Sequence, residues 1–280
     1  MHSALCWILS LVLSYPPWGT ERSIPDREVP FKIISGFLIE FEGSIGGLSG
    51  LKFILDTGAT HTIVDRKIAN RLGVQLHPKE LFGFAGSRIL ANEGTFPELQ
   101  YGPVTLKDAN LFVAELAEFS TLAEGADAII GTDLLSLGSF VVDYDNRKLH
   151  FQPLERPLSP MEPRDSAMFV KLRVQDHFIE LVLDTGMDGL VLFEERLRKE
   201  IPHLLIKAEE KDIRIGPQVS ATKVALPKIF LGTKEMSTSV LLVKEPKPNV
   251  LPGIYGYLGT SALKAHFMEF DITEGHFRWR

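Results

Sequence analysis

The feature that most constrains this chain is a repetition. FILDTG at residues 53–58 returns as LVLDTG at residues 181–186, displaced by 128 positions. The same displacement carries Ile129-Ile130-Gly131-Thr132 onto Tyr257-Leu258-Gly259-Thr260, so that Asp56 to Gly131 and Asp184 to Gly259 each span 75 residues without a gap. Leu135 and Leu263, Asp143 and Asp271, and Phe151 and Trp279 keep the register. A fixed period of this size marks a chain built from two copies of one module.

Within each copy, short runs rich in Val, Ile, Leu and Phe alternate with Gly, Pro, Asn and Asp, as at residues 31–41 and 51–55. Such runs read as strands. Helical periodicity is confined to Arg66–Leu72 and Glu194–Glu200, with single turns expected at 133–137 and 262–265. The expectation is an all-β, bilobal fold made of two β-barrel halves related by a pseudo-twofold axis, with few short helices. Residues 152–165 hold four prolines in fourteen positions, the composition of an extended connector. The halves are accordingly placed at 29–151 and 166–280, with 152–165 as the linker.

Composition narrows the partners. A formal charge of −6, with no Lys/Arg block or basic stripe, gives nucleic acid nothing to bind. The apolar run at residues 4–13 is too short to cross a bilayer as a helix and has the length of a signal-peptide core. Residues 1–19 therefore read as a signal peptide and the mature chain as secreted or periplasmic, without a stable membrane span. A leader with only His2 before its core, and Tyr15-Pro16-Pro17-Trp18-Gly19 in place of a small-residue cleavage site, leaves a cytoplasmic chain as the other reading. Cys6 is the only cysteine and lies inside that run, so the processed chain has no disulfide to stabilise it.

Several chemistries drop out. The eight histidines show no metal-ligand spacing, so no metal and no other cofactor is expected. There is no Gly-x-Ser-x-Gly elbow, and Cys6 leaves no candidate thiol nucleophile. The Gly-rich segment 43–50 lacks the Gly-Lys-Ser/Thr ending of a phosphate loop and leads into a strand, which makes it a hairpin loop. Asp143 and Asp271 stand beside turn residues and read as hairpin acids.

What remains is the repeated triplet. An apolar strand ending in Asp-Thr-Gly places a carboxylate where the chain leaves a buried sheet, with Gly permitting a tight turn. One copy alone would be an ordinary strand-ending turn. Two copies in register can bring Asp56 and Asp184 face to face across a pseudo-twofold axis. Two charges about 4 Å apart at an effective dielectric near 20 repel by about 4 kcal/mol, so one proton is shared and only one carboxylate ionises readily. Such a pair can act as general base and general acid on one water.

The triplets, followed downstream by two hydrophobic residues and Gly at 129–131 and 257–259, resemble the pepsin and retropepsin superfamily of aspartic peptidases. A shared proton on the acid pair is a known property of that class. The resemblance covers nearly all of residues 29–280 and is nearest to a fused, single-chain retropepsin dimer of the bacterial kind. It implies an aspartic endopeptidase acting on a peptide or protein substrate, working as a monomer with an intramolecular pseudo-dimer. It also implies Asp56 and Asp184 as catalytic residues, Thr57 and Thr185 bridging the halves beneath them, and Gly58 and Gly186 as supporting residues. Turn capping is the plain alternative for the two threonines.

Residues 81–88, with Gly83, Phe84, Ala85 and Gly86, have the glycines and apolar tip of a substrate-covering hairpin; residues 213–217 are the second-half counterpart. Asp188 stands where retropepsins carry an acid for the substrate main chain, and an exposed turn acid explains it equally. Met187 departs from the small residue found at Ala59, which crowds the second site. Two other functions are carried beside the protease: a catalytically silent peptide-binding module, and a processing enzyme for a single partner protein.

Overall fold

The computed structural model describes residues 28–83, 88–118, 125–151, 159–160, 167–215, 219–236, 239–244, 252–272 and 274–280. The leader at 1–19 lies outside them, and of the linker at 152–165 only 159–160 are described. Strands dominate, arranged in one 13-stranded and one nine-stranded sheet.

The strand that carries each triplet runs through the middle of its half. Leu48–Leu55 pairs antiparallel with Leu38–Ile45 on one side and parallel with Ala128–Ile130 on the other. Phe53 and Leu55 point into the main core while Ile54 enters a second cluster with Leu38, Ile63 and Ile129. The second half repeats this arrangement. His177–Asp184 lies between Phe169–Val174 and the parallel strand Ile254–Gly259, with Leu181 and Leu183 in the main core and Val182 in a cluster of its own. Both faces of each strand are covered, which is why 53–55 and 181–183 are continuously apolar and do not alternate.

The accessory helices fall where their patterns place them. Arg66–Leu72 is capped by Asp65, whose Oδ1 accepts from Lys67 N at 2.9 Å, and ends at Gly73 with φ 65°. Glu194–Glu200 carries Glu194 and Glu195 in its first turn and Arg198 and Lys199 in its last, in the sense that complements the helix dipole. Single turns occur at Thr132–Leu135 and Thr260–Leu263. The Gly-rich segment at 43–50 is a hairpin between Leu38–Ile45 and Leu48–Leu55, turning through Gly46 and Gly47 at φ 56° and 82°, values that glycine adopts without strain.

A shared sheet joins the halves. Phe140–Asp143 pairs antiparallel with Phe267–Asp271, setting Phe140 opposite Phe270, Val141 opposite Glu269 and Val142 opposite Met268. The 128-residue displacement maps Val141 onto Glu269 itself, so the pseudo-twofold axis passes through that pair. On the core face the Phe140 and Phe270 rings stack at 4.7 Å. The hairpins that follow turn on their acids: Asn146 N donates to Asp143 Oδ1 at 2.9 Å and Glu274 N to Asp271 Oδ1 at 3.0 Å.

Candidate active site

Asp56 and Asp184 leave their strands side by side at the junction of the halves. The closeness is visible from the glycines. A Cβ on Gly58 would lie 2.3 Å from Asp184 Cγ, and one on Gly186 would lie 2.7 Å from Asp56 Oδ2. Each triplet's glycine is thus the floor against which the other triplet's carboxylate rests, and no side chain fits at either position.

The residue between Asp and Gly ties the halves together. Thr57 Oγ1 donates to Leu183 O at 2.8 Å and Thr185 Oγ1 to Leu55 O at 2.8 Å, while the backbone N–H of each donates to the hydroxyl oxygen of the other. Both threonines are fully buried. The geometry is the inter-half bridge that the family resemblance implied, and not local turn capping.

The two acids are not equivalent. Asp56 Oδ1 accepts from Gly58 N at 2.9 Å and Ala59 N at 3.1 Å. Asp184 Oδ1 accepts from Gly186 N at 2.7 Å, and among the described residues Met187 N adds no second bond. Burial raises the Asp184 pKa well above the usual carboxylate range, and the nearby Asp56 charge raises it further against the pull of Gly186 N–H. Burial raises Asp56 too, opposed by the N–H groups of Gly58 and Ala59 and by its hydrogen bond with the Asp184 side chain. Both acids are raised and they titrate as a pair sharing a proton, Asp184 being the more strongly raised of the two.

Behind each loop a short turn is locked by an acid–hydroxyl pair, with acid and hydroxyl on opposite sides in the two copies. In the first, Thr62 N and Oγ1 donate to Asp133 at 2.9 and 2.7 Å, and Gly131 N donates to Thr62 Oγ1 at 3.0 Å. In the second, the acid is on the loop and the hydroxyl on the turn. Ser261 Oγ donates to Asp188 Oδ1 at 2.8 Å and accepts from Gly189 N at 2.9 Å. Thr62, Asp133 and Ser261 were missed as site-supporting residues. The turn partners Asp133 and Ser261 stand at aligned positions, but Thr62 aligns with Leu190 and Asp188 with Thr60, so the repeat alone did not pair them.

The strands His77–Phe82 and Arg88–Tyr101 pair as an antiparallel hairpin, and Gly83 follows the first. Phe84, Ala85 and Gly86 lie outside the described residues. The second half has a matching hairpin from Lys207–Ile215 and Val219–Ala225. No group of three or more His, Cys, Asp or Glu among the described residues could hold a metal ion.

Sequence comparison agrees with the first copy's pattern: residues 41–134 match the family model described as aspartyl protease. No curated protein matches the chain. Among solved structures it is similar to conglutin gamma, a basic 7S globulin from lupine seeds, at 11% identity and TM-score 0.46, and to edgp at 11% and 0.48; in both cases 91% of this chain and 94% of the other are covered. A retropepsin-like aspartic protease from Rickettsia conorii matches at 16% identity and TM-score 0.32, covering 45% of this chain and 87% of its own. The aspartyl protease match takes in the first triplet and Ile129-Ile130-Gly131 and stops before the second copy.

Proposed function

We propose that the chain is an aspartic endopeptidase in which Asp56 and Asp184 work on one water. The observation that carries the reading is the meeting of the two carboxylates, each resting against the other triplet's glycine. Asp56 holds its charge with two backbone N–H groups, and Asp184 holds its proton by burial beside that charge. Asp56 then acts as general base, taking a proton from the water as its oxygen attacks the scissile carbonyl carbon. Asp184 gives its proton to the carbonyl oxygen, yielding a neutral tetrahedral diol without a covalent bond to the enzyme. In the second step Asp56 passes its proton to the departing nitrogen while a diol hydroxyl returns one to Asp184, the C–N bond breaks, and the starting protonation is restored.

The substrate on this reading is an extended peptide lying between the halves, and the chain works as a monomer because both acids belong to one polypeptide. The test is cleavage of a mixed peptide library from pH 3 to 8 by the wild type and by Asp56→Asn and Asp184→Asn. Activity lost in both variants supports the shared pair. One observation favours a second reading, a peptide-binding module without turnover: Asp184 has one backbone donor where Asp56 has two. A folded wild type that binds peptides and cleaves none at any pH would decide for that module.

A further inference from the structure

The two copies differ sharply beside the second triplet. There a cavity of 360 Å³, within the size range of small-ligand sites, is walled by Asp188, Gly189, Ser239, Leu241, Ser261 and Lys264. The hydrogen bonds from Gly189 N to Ser261 Oγ and from Ser261 Oγ to Asp188 Oδ1 brace one side. Lys264 ends the Thr260–Leu263 turn in the left-handed conformation, φ 47°, its N–H bonded to Ser261 O. One backbone link ties the wall to the second acid's strand: Gly259, opposite Asp184 in the parallel strands, donates its N–H to Gly189 O at 2.7 Å.

The first copy serves as an internal control. Asp188 and Lys264 correspond to Thr60 and Ser136, and by strand register Leu241, opposite Val191, matches Phe112, opposite Ile63. Neither charge has a charged counterpart. The carboxylate and the ammonium therefore distinguish this one side of the site.

We infer that this cavity is a specificity subsite for a carboxamide side chain, Gln or Asn, of the substrate; the inference rests on the protease reading. Asp188 offers acceptors only and Lys264 donors only. A basic side chain gains the first and is repelled by the second, and an acidic one meets the reverse. A carboxamide alone pairs with both, its NH2 donating to Asp188 and its oxygen accepting from Lys264 without net charge, while Leu241 covers its methylenes.

The test is cleavage of a positional-scanning peptide library by the full chain as wild type, Lys264→Ala and Asp188→Asn. The wild type should favour Gln or Asn at one position by about tenfold, the effect of one charge-assisted hydrogen bond. At that same position Lys264→Ala should turn the preference toward Lys and Arg, and Asp188→Asn toward Glu and Asp. Should Asp188→Asn fail to fold, the exposed Lys264 still gives the decisive variant. Cleavage with the same preference in every variant would overturn the subsite alone. A wild type that cleaves no peptide would overturn the protease reading and the subsite with it.

Discussion

Thr57 and Thr185 exchange backbone hydrogen bonds: the N–H of each donates to the Oγ1 of the other, at 3.0 and 3.1 Å. Their hydroxyls donate in turn to Leu183 O and Leu55 O, the carbonyls just before the two acids. Four buried bonds thus cross between the halves at the point where the acids emerge. This lattice fixes the two strand ends from which Asp56 and Asp184 emerge.

Replacing Thr185 by Val keeps the shape and removes the hydroxyl, leaving Thr57 N–H and Leu55 O without partners in a dry site. Unsatisfied buried groups cost about 1–3 kcal/mol each, so the variant should be destabilised by at least about 2 kcal/mol in chemical denaturation. The double variant with Thr57→Val loses four different bonds, so its cost should approach the sum of the singles. Thr185→Ser restores the hydroxyl and should recover most of the loss.

Gly58→Ala places a Cβ within 2.3 Å of Asp184 Cγ, and Gly186→Ala one within 2.7 Å of Asp56 Oδ2. Both contacts are impossible without parting the acids. A displacement of about 1 Å at a reacting group can cost about a hundredfold in rate, so kcat should fall by at least that factor in each variant. A fold judged intact by circular dichroism, with kcat at the wild-type level, would show that the acids do not work as a pair.

Two acids should give stability profiles of opposite slope. Asp184 is raised in the folded state above its ordinary 3.8, so its contribution is fully present below about pH 4 and fades as pH rises through the raised range. The stability of the wild type relative to Asp184→Asn should therefore decline with rising pH. Asp143 is lowered: slight burial opposes, and the side chain and N–H of Asn146 prevail. Its contribution is present above the ordinary carboxylate range and lost as pH falls below it. The difference between wild type and Asp143→Asn should vanish in acid, as urea titrations at several pH values would show.

The repeat carried the fold a long way from sequence. The displacement of 128 placed both triplets, both helices and both hairpin acids, because equal spacing in two copies forces equal positions in two modules. The asymmetries were not legible. The exchange of Thr62–Asp133 for Asp188–Ser261 depends on how two loops approach two turns. The inequality of the two acids depends on which backbone N–H groups reach which oxygen, since Ala59 N bonds its acid and Met187 N does not. Neither follows from residue types alone, although the larger residue after the second triplet marked where symmetry would fail. Nor did periodicity reveal that Phe140–Asp143 and Phe267–Asp271 pair across the halves, because each strand's burial pattern fits a core within its own half as well.

That pairing makes the last prediction. The Phe140 and Phe270 rings, one from each half, are fully buried and stacked at 4.7 Å with an interplanar angle of 14°. Removing one leaves a cavity at the junction, and a buried Phe→Ala costs about 3–5 kcal/mol. At roughly 2–4 °C per kcal/mol for a chain somewhat shorter than this one, Phe140→Ala should lower the Tm by about 6 °C or more. Phe178, 65% exposed on the strand His177–Asp184, is the control, and its replacement by Ala should change stability by less than about 0.5 kcal/mol. Because the shared sheet also carries the halves' alignment, Phe140→Ala should lose peptide cleavage at a lower temperature than it loses far-ultraviolet ellipticity. Coincident losses would mean that the stack supports the core alone and leaves the meeting of Asp56 with Asp184 to Thr57 and Thr185.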